Sequence, residues 1–286
     1  MVLSPATARL PLPVTTRPDT VLPDGAPPRT AAFFDLDNTF IRGASLFHLA
    51  RGLAAHHFLT AGQLAKFGCA QLTFRIRGER DGQLETTRSK ALAFAQGHTV
   101  SQMRHVCRDI YDEYLGQKIW PGTRALAQAH LDRNEAVWLV TAAPLELAEV
   151  VAEQLGLTGA LGTVPESIDG VYTGGLNGQI LHGPAKASAV HALAGERGYR
   201  LGECHAYSDS ANDLPLLTSV GHPHAINPDH RLRNHAQAVG WPVTDYRTGV
   251  RLLRLGLPGA AAIGATVGAV TAGGALRRAA RQQSGR

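Results

Sequence analysis

Short apolar runs that end on a polar residue alternate along this chain with longer stretches whose apolar positions recur every three to four residues. The runs are "AAFFDLD" (31–37), "EAVWLVTAAP" (135–144), "ALGTV" (160–164), "CHAYSDS" (204–210) and "PHAIN" (223–227). Such alternation predicts an α/β domain built on a parallel sheet. Functional groups in sheets of this kind gather where the strands end at their carboxyl side, and Asp35, Thr141 and Asp209 each close an apolar run.

The spacing between the first run and the second breaks the pattern. From Ala44 to about Lys118, "SLFHLARGLAAHHFL", "TAGQLAKFGCAQLTFRIRG", "LETTRSKALAFAQ" and "SQMRHVCRDIYDEYLGQK" all carry helical periodicity. A crossover between parallel strands needs one helix, so residues 44–118 read as an inserted helical cap after the first strand, with 30–43 and 119–247 forming the core. The Gly-rich "DGVYTGGLNGQI" (169–180) predicts a small β-hairpin. Residues 1–29 are rich in Pro and Thr, without an apolar stretch of signal-peptide length, and read as a disordered tail.

Charge changes the picture only at the carboxyl end. The net charge of +5 comes from 28 basic and 23 acidic residues, but seven of the arginines lie from Arg247 onward, where there is no Lys, Asp or Glu. The rest of the chain is nearly neutral, which argues against a groove for nucleic acid. Within 248–286 the stretch 255–276 holds no charge and is bracketed by Arg251, Arg254, Arg277, Arg278 and Arg281. It is long enough to span a bilayer. It is also mostly Gly and Ala, so a membrane helix, an interfacial segment and a flexible tail all remain open. The location expected is the cytoplasm, with this segment as a candidate anchor at the inner face of the cell membrane. Three cysteines, Cys69, Cys107 and Cys204, fit reduced buried thiols. The thirteen histidines, among them His56, His57, His222 and His224, show no ligand spacing and read as surface or satisfied core groups.

The candidate chemistry lies in four places. Asp35 and Asp37 are two carboxylates at the end of the first strand, where a turn can give them different roles: Asp35 as a nucleophile toward phosphorus, Asp37 as the acid that protonates the leaving oxygen. Thr141 can donate its hydroxyl to a phosphate oxygen, and Lys186 offers a point charge for the phosphoryl group. Asp209 and Asp213, in "SDSAND", add hard oxygen ligands suited to Mg²⁺. Each element alone has a bland reading as a strand end, a surface charge or a helix cap. Together they form a nucleophile, an acid, an anion clamp and a metal site.

Taken in order, these motifs resemble those of the haloacid dehalogenase superfamily of aspartyl phosphatases. Asp35–Leu36–Asp37–Asn38–Thr39 is similar to its first motif, Thr141 to its second, Lys186 to its third and "SDSAND" to its fourth. The resemblance implies a Rossmann-like core, a Mg²⁺ ion held by Asp35, the main-chain carbonyl of Asp37 and Asp209, and support from Asp213. A helical cap after the first motif looks like subfamily IB, the phosphoserine-phosphatase-like group. The expected activity is hydrolysis of a small or lipid-derived anionic phosphomonoester through an aspartyl-phosphate intermediate, with phosphoserine as the alternative substrate. Phosphoserine phosphatases carry a Glu after the first motif that grips the substrate amine, whereas "FIRGASLFHL" holds no acid. Arg75, Arg77, Arg80 and Arg88 in the cap could meet an anionic substrate or form a solvated helix face. Two other classes fit less well: a phosphorylated signalling module, which is shorter and lacks a cap, and a catalytically silent membrane-tethered scaffold, against which the intact motifs argue.

Overall fold

The computed structural model describes residues 15–16, 28–56 and 95–247. The chain divides into two units, 1–243 and 244–286; of the second only Thr244–Arg247 is described, where the Asp245 carboxylate accepts from the main chain and guanidinium of Arg247.

The first unit is organised by a sheet whose strands are β1 (Thr15–Thr16), β2 (Ala31–Phe34), β3 (Ala136–Pro144), β4 (Gly159–Thr163), β7 (His205–Ser208) and β8 (His222–Ile226), in the spatial order β1-β4-β3-β2-β7-β8. From β4 across to β8 the strands run parallel, with Phe34 beside Leu139 and Tyr207. β2 therefore lies at the centre. All four of its side chains are buried, the signature of a strand covered on both faces rather than one. Phe33 enters a core with Trp138, Val140, Val190, Leu193, Leu216 and Leu232, built against α5 (Pro184–Arg197), α6 (Leu214–Leu217) and α7 (His230–Val239). Phe34 faces the other way, stacking on Tyr207 at 4.2 Å and meeting the edge of His130 from α3 (Pro121–Leu131). α4 (Leu145–Leu155) packs on β3 and β4 so closely that a Cβ on Gly162 would lie 2.7 Å from Leu145 Cα, which explains glycine there.

The parallel sheet matches the expectation, and β3 runs on past Thr141 to Pro144 after a register shift. The hairpin begins earlier than its glycines suggest: β5 (Pro165–Ile168) pairs antiparallel with β6 (Val171–Leu176). Its two-residue turn is Asp169–Gly170, with φ of 50° and 76°, the pair of positive values that a type I′ turn requires. The segment 97–100 joins this hairpin through Gly97 N–H to Tyr172 O, Tyr172 N–H to His98 O and Val100 N–H to Gly170 O.

Of the region 44–118, the described parts are α1 (Ser45–Ala55), α2 (Val100–Ile110), a π turn at Tyr111–Leu115 and a 3₁₀ turn at Gly116–Lys118. Thr99 and Gln102 close a capping box at the start of α2. The remaining expected helices, with Cys69, Arg75, Arg77, Arg80 and Arg88, lie outside the described residues. Cys107 and Cys204 are buried free thiols. Within the tail expected to be disordered, Thr15–Thr16 pair antiparallel with Ala160 and Gly159 on the sheet edge. Among the described residues no helix is long and apolar enough to cross a membrane; the stretch 255–276 lies outside them.

Candidate active site

The central strand delivers Asp35 to the carboxyl edge of the sheet. The ladder continues one step beyond β2, with Asp35 N–H donating to Tyr207 O at 2.9 Å, and then the chain turns. Phe40 and Ile41 N–H groups both donate to Leu36 O, and Asn38 takes φ of 56° while its side-chain oxygen accepts from Gly43 N–H. Asn tolerates the left-handed region better than most residues, and its side chain closes the loop locally. The turn separates the two acids as expected. Asp35 faces inward, whereas Asp37 Oδ1 accepts from Ser45 N–H at the start of α1, at 2.8 Å.

Lys186 arrives from the other side. Gly183, at φ 52°, redirects the chain into Pro184, which opens α5, so Lys186 sits in the first turn. Its ammonium donates to Asp35 Oδ1 at 2.5 Å and to Asp213 Oδ2 at 2.8 Å, and all three side chains are buried. Ser208, the last residue of β7, donates to the same Asp213 oxygen at 2.7 Å and accepts from Ser210 N–H. Asp209 follows Ser208, and its main-chain carbonyl accepts from Asp229 N–H at 2.7 Å.

Charge is unbalanced at this edge. Burial pushes the Asp35 carboxyl up to about 7, an effect opposed by Lys186 and reinforced by Asp213 and Asp37. Asp209 is held well above the usual carboxylate range by burial and by Asp35, Asp213 and Asp37. Burial alone would lower Lys186, but Asp213 and Asp35 keep it firmly charged. Four carboxylates thus share the field of one buried ammonium. An additional cation would relieve that imbalance, and the oxygen donors fit a hard divalent ion.

Asp35, Lys186 and Asp213 are therefore joined by direct hydrogen bonds, and Asp37 and Asp209 lie within electrostatic reach of Asp35. Thr141 comes to the same edge: it follows Leu139, the partner of Phe34, by two residues, is buried, and accepts from Ala143 N–H at 3.1 Å. Sequence reasoning passed over Ser208, Asn227 and Asp229. Asn227 donates through its side-chain amide to Asn38 O at 2.7 Å, tying the loop after β8 to the loop after β2. Asp229 caps α7 through Leu232 N–H and also accepts from Ala211 N–H, which pins the 209–213 turn. The "NPD" at 227–229, just ahead of a helical stretch, was the available signal, since Asp before a helix is a cap.

A parallel α/β sheet with acids and a buried lysine converging at its carboxyl edge defines a Rossmann-like enzyme core. A family model described as haloacid dehalogenase-like hydrolase matches residues 32–218, and the chain belongs to that family. A protein of Mycobacterium tuberculosis (strain ATCC 25618 / H37Rv) named phosphoserine phosphatase SerB1 is 50% identical over 243 residues, covering 85% of this chain and 79% of its own. A histidinol-phosphatase of Neisseria meningitidis serogroup C (strain 8013) is 30% identical over 225 residues, covering 77% of this chain and 100% of its own. Among solved structures, a phospho-aspartyl intermediate analogue of phosphoserine phosphatase superposes with a TM-score of 0.56 at 18% identity, covering 80% of this chain and 99% of the other. The protein is a phosphatase of this family.

Proposed function

We propose that the protein is a Mg²⁺-dependent phosphomonoesterase that works through an aspartyl phosphate on Asp35. The observation that carries the reading is the buried Asp35 carboxylate at the strand end, held by Lys186 Nζ at 2.5 Å, with Asp37 turned aside two residues later. Asp35 attacks phosphorus as the bond to the ester oxygen breaks, and Asp37 gives that oxygen its proton. A water then attacks the acyl phosphate, Asp37 takes its proton, and Asp35 is released as a carboxylate. Lys186 and the Thr141 hydroxyl hold phosphoryl oxygens; because Thr141 Oγ1 already accepts from Ala143, its O–H is directed to an acceptor elsewhere. Asp35, Asp209 and the Asp37 carbonyl, with Asp213 behind them, would hold Mg²⁺, which when bound supplies positive charge against phosphate and carboxylates.

The substrate we assign is a small anionic phosphomonoester. No acid lies between Phe40 and Leu49 to pair an amine. On α1, burial together with neighbouring Lys118 and Arg51 pushes the His48 imidazole below its ordinary range, marking cationic surroundings. Phosphoserine is the second reading, favoured by the relative at 50% identity that bears that name. Phosphate release from phosphoserine, histidinol phosphate, sugar phosphates and lysophospholipid phosphates, at saturating Mg²⁺, tests both. Turnover best on a sugar phosphate or a lysophospholipid phosphate supports the assignment, and turnover best on phosphoserine supports the second reading instead; no release from any of them refutes the activity, and a preference for histidinol phosphate refutes the substrate class.

The location we propose is the cytoplasm, with 255–276 and its arginines holding the enzyme at the inner membrane face. Each Arg near an anionic surface contributes about 1 kcal/mol, which supplements a span poor in large apolar residues. Recovery of the full chain wholly in the soluble fraction at low salt would refute the anchor.

A further inference from the structure

The opposite edge of the sheet, where the strands begin, carries a second cluster of donor groups. His130 lies in the last turn of α3, Glu135 immediately precedes β3 and His205 opens β7. One potential ligand atom from each lies within 4.8 Å of the others. His130 Nδ1 contacts Glu135 Oε2, and its Nε2 lies 2.7 Å from the Tyr207 hydroxyl. The rings of His130 and His205 are 4.7 Å apart, and His222 stacks on the outer side of His205 at 4.6 Å. Arg133, a surface side chain, now bonds both Glu135 oxygens and reaches His130 Nδ1 at 2.8 Å.

That last contact sets up a conflict. A neutral imidazole Nδ1 is either a donor or an acceptor, yet here it faces a carboxylate, which needs a donor, and a guanidinium, which needs an acceptor. Whichever tautomer is present, one of the two contacts is unsatisfied. A cation on the Nδ1 lone pair, shared with Glu135, would bind the imidazole nitrogen and the carboxylate together and release Arg133 from the pair.

We propose that His130, Glu135 and His205 form a binding site for a zinc-class divalent ion, separate from the acidic cluster at the carboxyl edge of the sheet. Two imidazoles and a carboxylate are a borderline donor set that suits Zn²⁺ or Co²⁺, unlike the all-oxygen cluster around Asp35. The Tyr207 hydroxyl against Nε2 is the outer partner that fixes the ring of a metal-bound histidine. Burial pushes His130 below its ordinary range and, with His130 and His222 nearby, takes His205 down to about 4, so both are neutral, the form that ligates. Bonds of about 2.1 Å draw tetrahedral donors to roughly 3.4 Å apart, so small torsions of Glu135 and His205 close the site, and Arg133 swings out toward solvent. The ion would clasp the end of α3 to the starts of β3 and β7.

The test is zinc binding by the full chain, with Mg²⁺ in excess to occupy the acidic cluster, followed by calorimetry and by the visible spectrum of the Co²⁺ form. The expected result is one Zn²⁺ per chain and a rise in melting temperature, with binding weakened at least tenfold in His205→Ala and in Glu135→Gln. Arg133→Ala should bind more tightly than the parent, because it removes a positive charge from beside the ion. Phosphatase turnover with Mg²⁺ should be unchanged in His205→Ala, which separates this site from the proposed catalytic one. No bound zinc, or equal binding by the parent and both ligand variants, would overturn the proposal; the turnover of His205→Ala with Mg²⁺ reports that this variant is folded.

Discussion

Replacing Lys186 by Met removes the single ammonium that Asp35 and Asp213 share while keeping a side chain of similar length. Both hydrogen bonds, at 2.5 and 2.8 Å, are lost, and the three side chains are at most 8% exposed, so water cannot replace them. Removing one partner from a buried ion pair costs about 3–5 kcal/mol, because the charge left behind is uncompensated. That cost has a ceiling, since the orphaned carboxyl can take up a proton instead. Burial already places Asp35 at about 7, and losing Lys186 raises it further. A carboxyl raised in the folded state binds more protons there than in the unfolded chain, so its stability contribution is present at low pH and is lost as pH rises through the folded value. The loss from Lys186→Met should therefore be small near pH 5.5 and approach about 3–5 kcal/mol near pH 8.5. Asp213→Asn leaves Lys186 paired with Asp35 and should cost less, about 0.5–3 kcal/mol. The double variant should be more stable than the sum of the singles allows, by a coupling of about 0.5–3 kcal/mol. Urea unfolding in the presence of a chelator, at the two pH values, measures all four corners. A loss under about 1 kcal/mol at the higher pH, or additivity within about 0.5 kcal/mol, would refute the claim that this lysine neutralises the cluster.

Other expectations follow from the same geometry. Activity should vanish with a chelator, return with Mg²⁺ and return poorly with Ca²⁺, whose looser shell places ligands differently; full turnover in metal-free buffer would contradict the donor assignment. Burial pushes His224 down to about 4, so the folded state holds it neutral, and its stability contribution is complete above about pH 6.5 and lost as pH falls toward 4. Unfolding midpoints of the parent and His224→Gln should shift unequally from about pH 7.5 to about pH 4.5, with the parent losing more; parallel shifts would show that this histidine is solvated. Asp37→Asn should slow turnover by roughly 10²–10⁴ through loss of proton transfer, and a near-normal rate would remove Asp37 from that role.

The central sheet and the carboxyl-edge cluster were legible because strong local signals fixed them. "AAFF" can hardly be anything other than a strand buried on both faces, and an acid directly after it falls at the sheet edge by topology. The hairpin was misplaced by four residues because "PESI" has exposed polar positions and its partner strand supplies the pairing. Asn227 escaped because its importance arises from a partner distant along the chain: it bonds to Asn38, and no local pattern announces such a contact. The same holds for His130, Glu135 and His205. His130 and Glu135 lie five residues apart, but β3, α4, β4, the hairpin and α5 separate them from His205, so no ligand spacing links all three, and only the alignment of β3 and β7 on either side of β2 brings them together.

The account rests on Asp35 forming a bond to phosphorus. Rapid quenching of the enzyme with a radiolabelled phosphomonoester it turns over, at saturating Mg²⁺, followed by peptide mapping, measures this directly. The expected result is acid-stable, base-labile label on the peptide that contains Asp35, greater accumulation in Asp37→Asn because hydrolysis is slowed, and none in Asp35→Asn. Label retained on the Asp35→Asn protein, or label on a different residue of the parent, would contradict it.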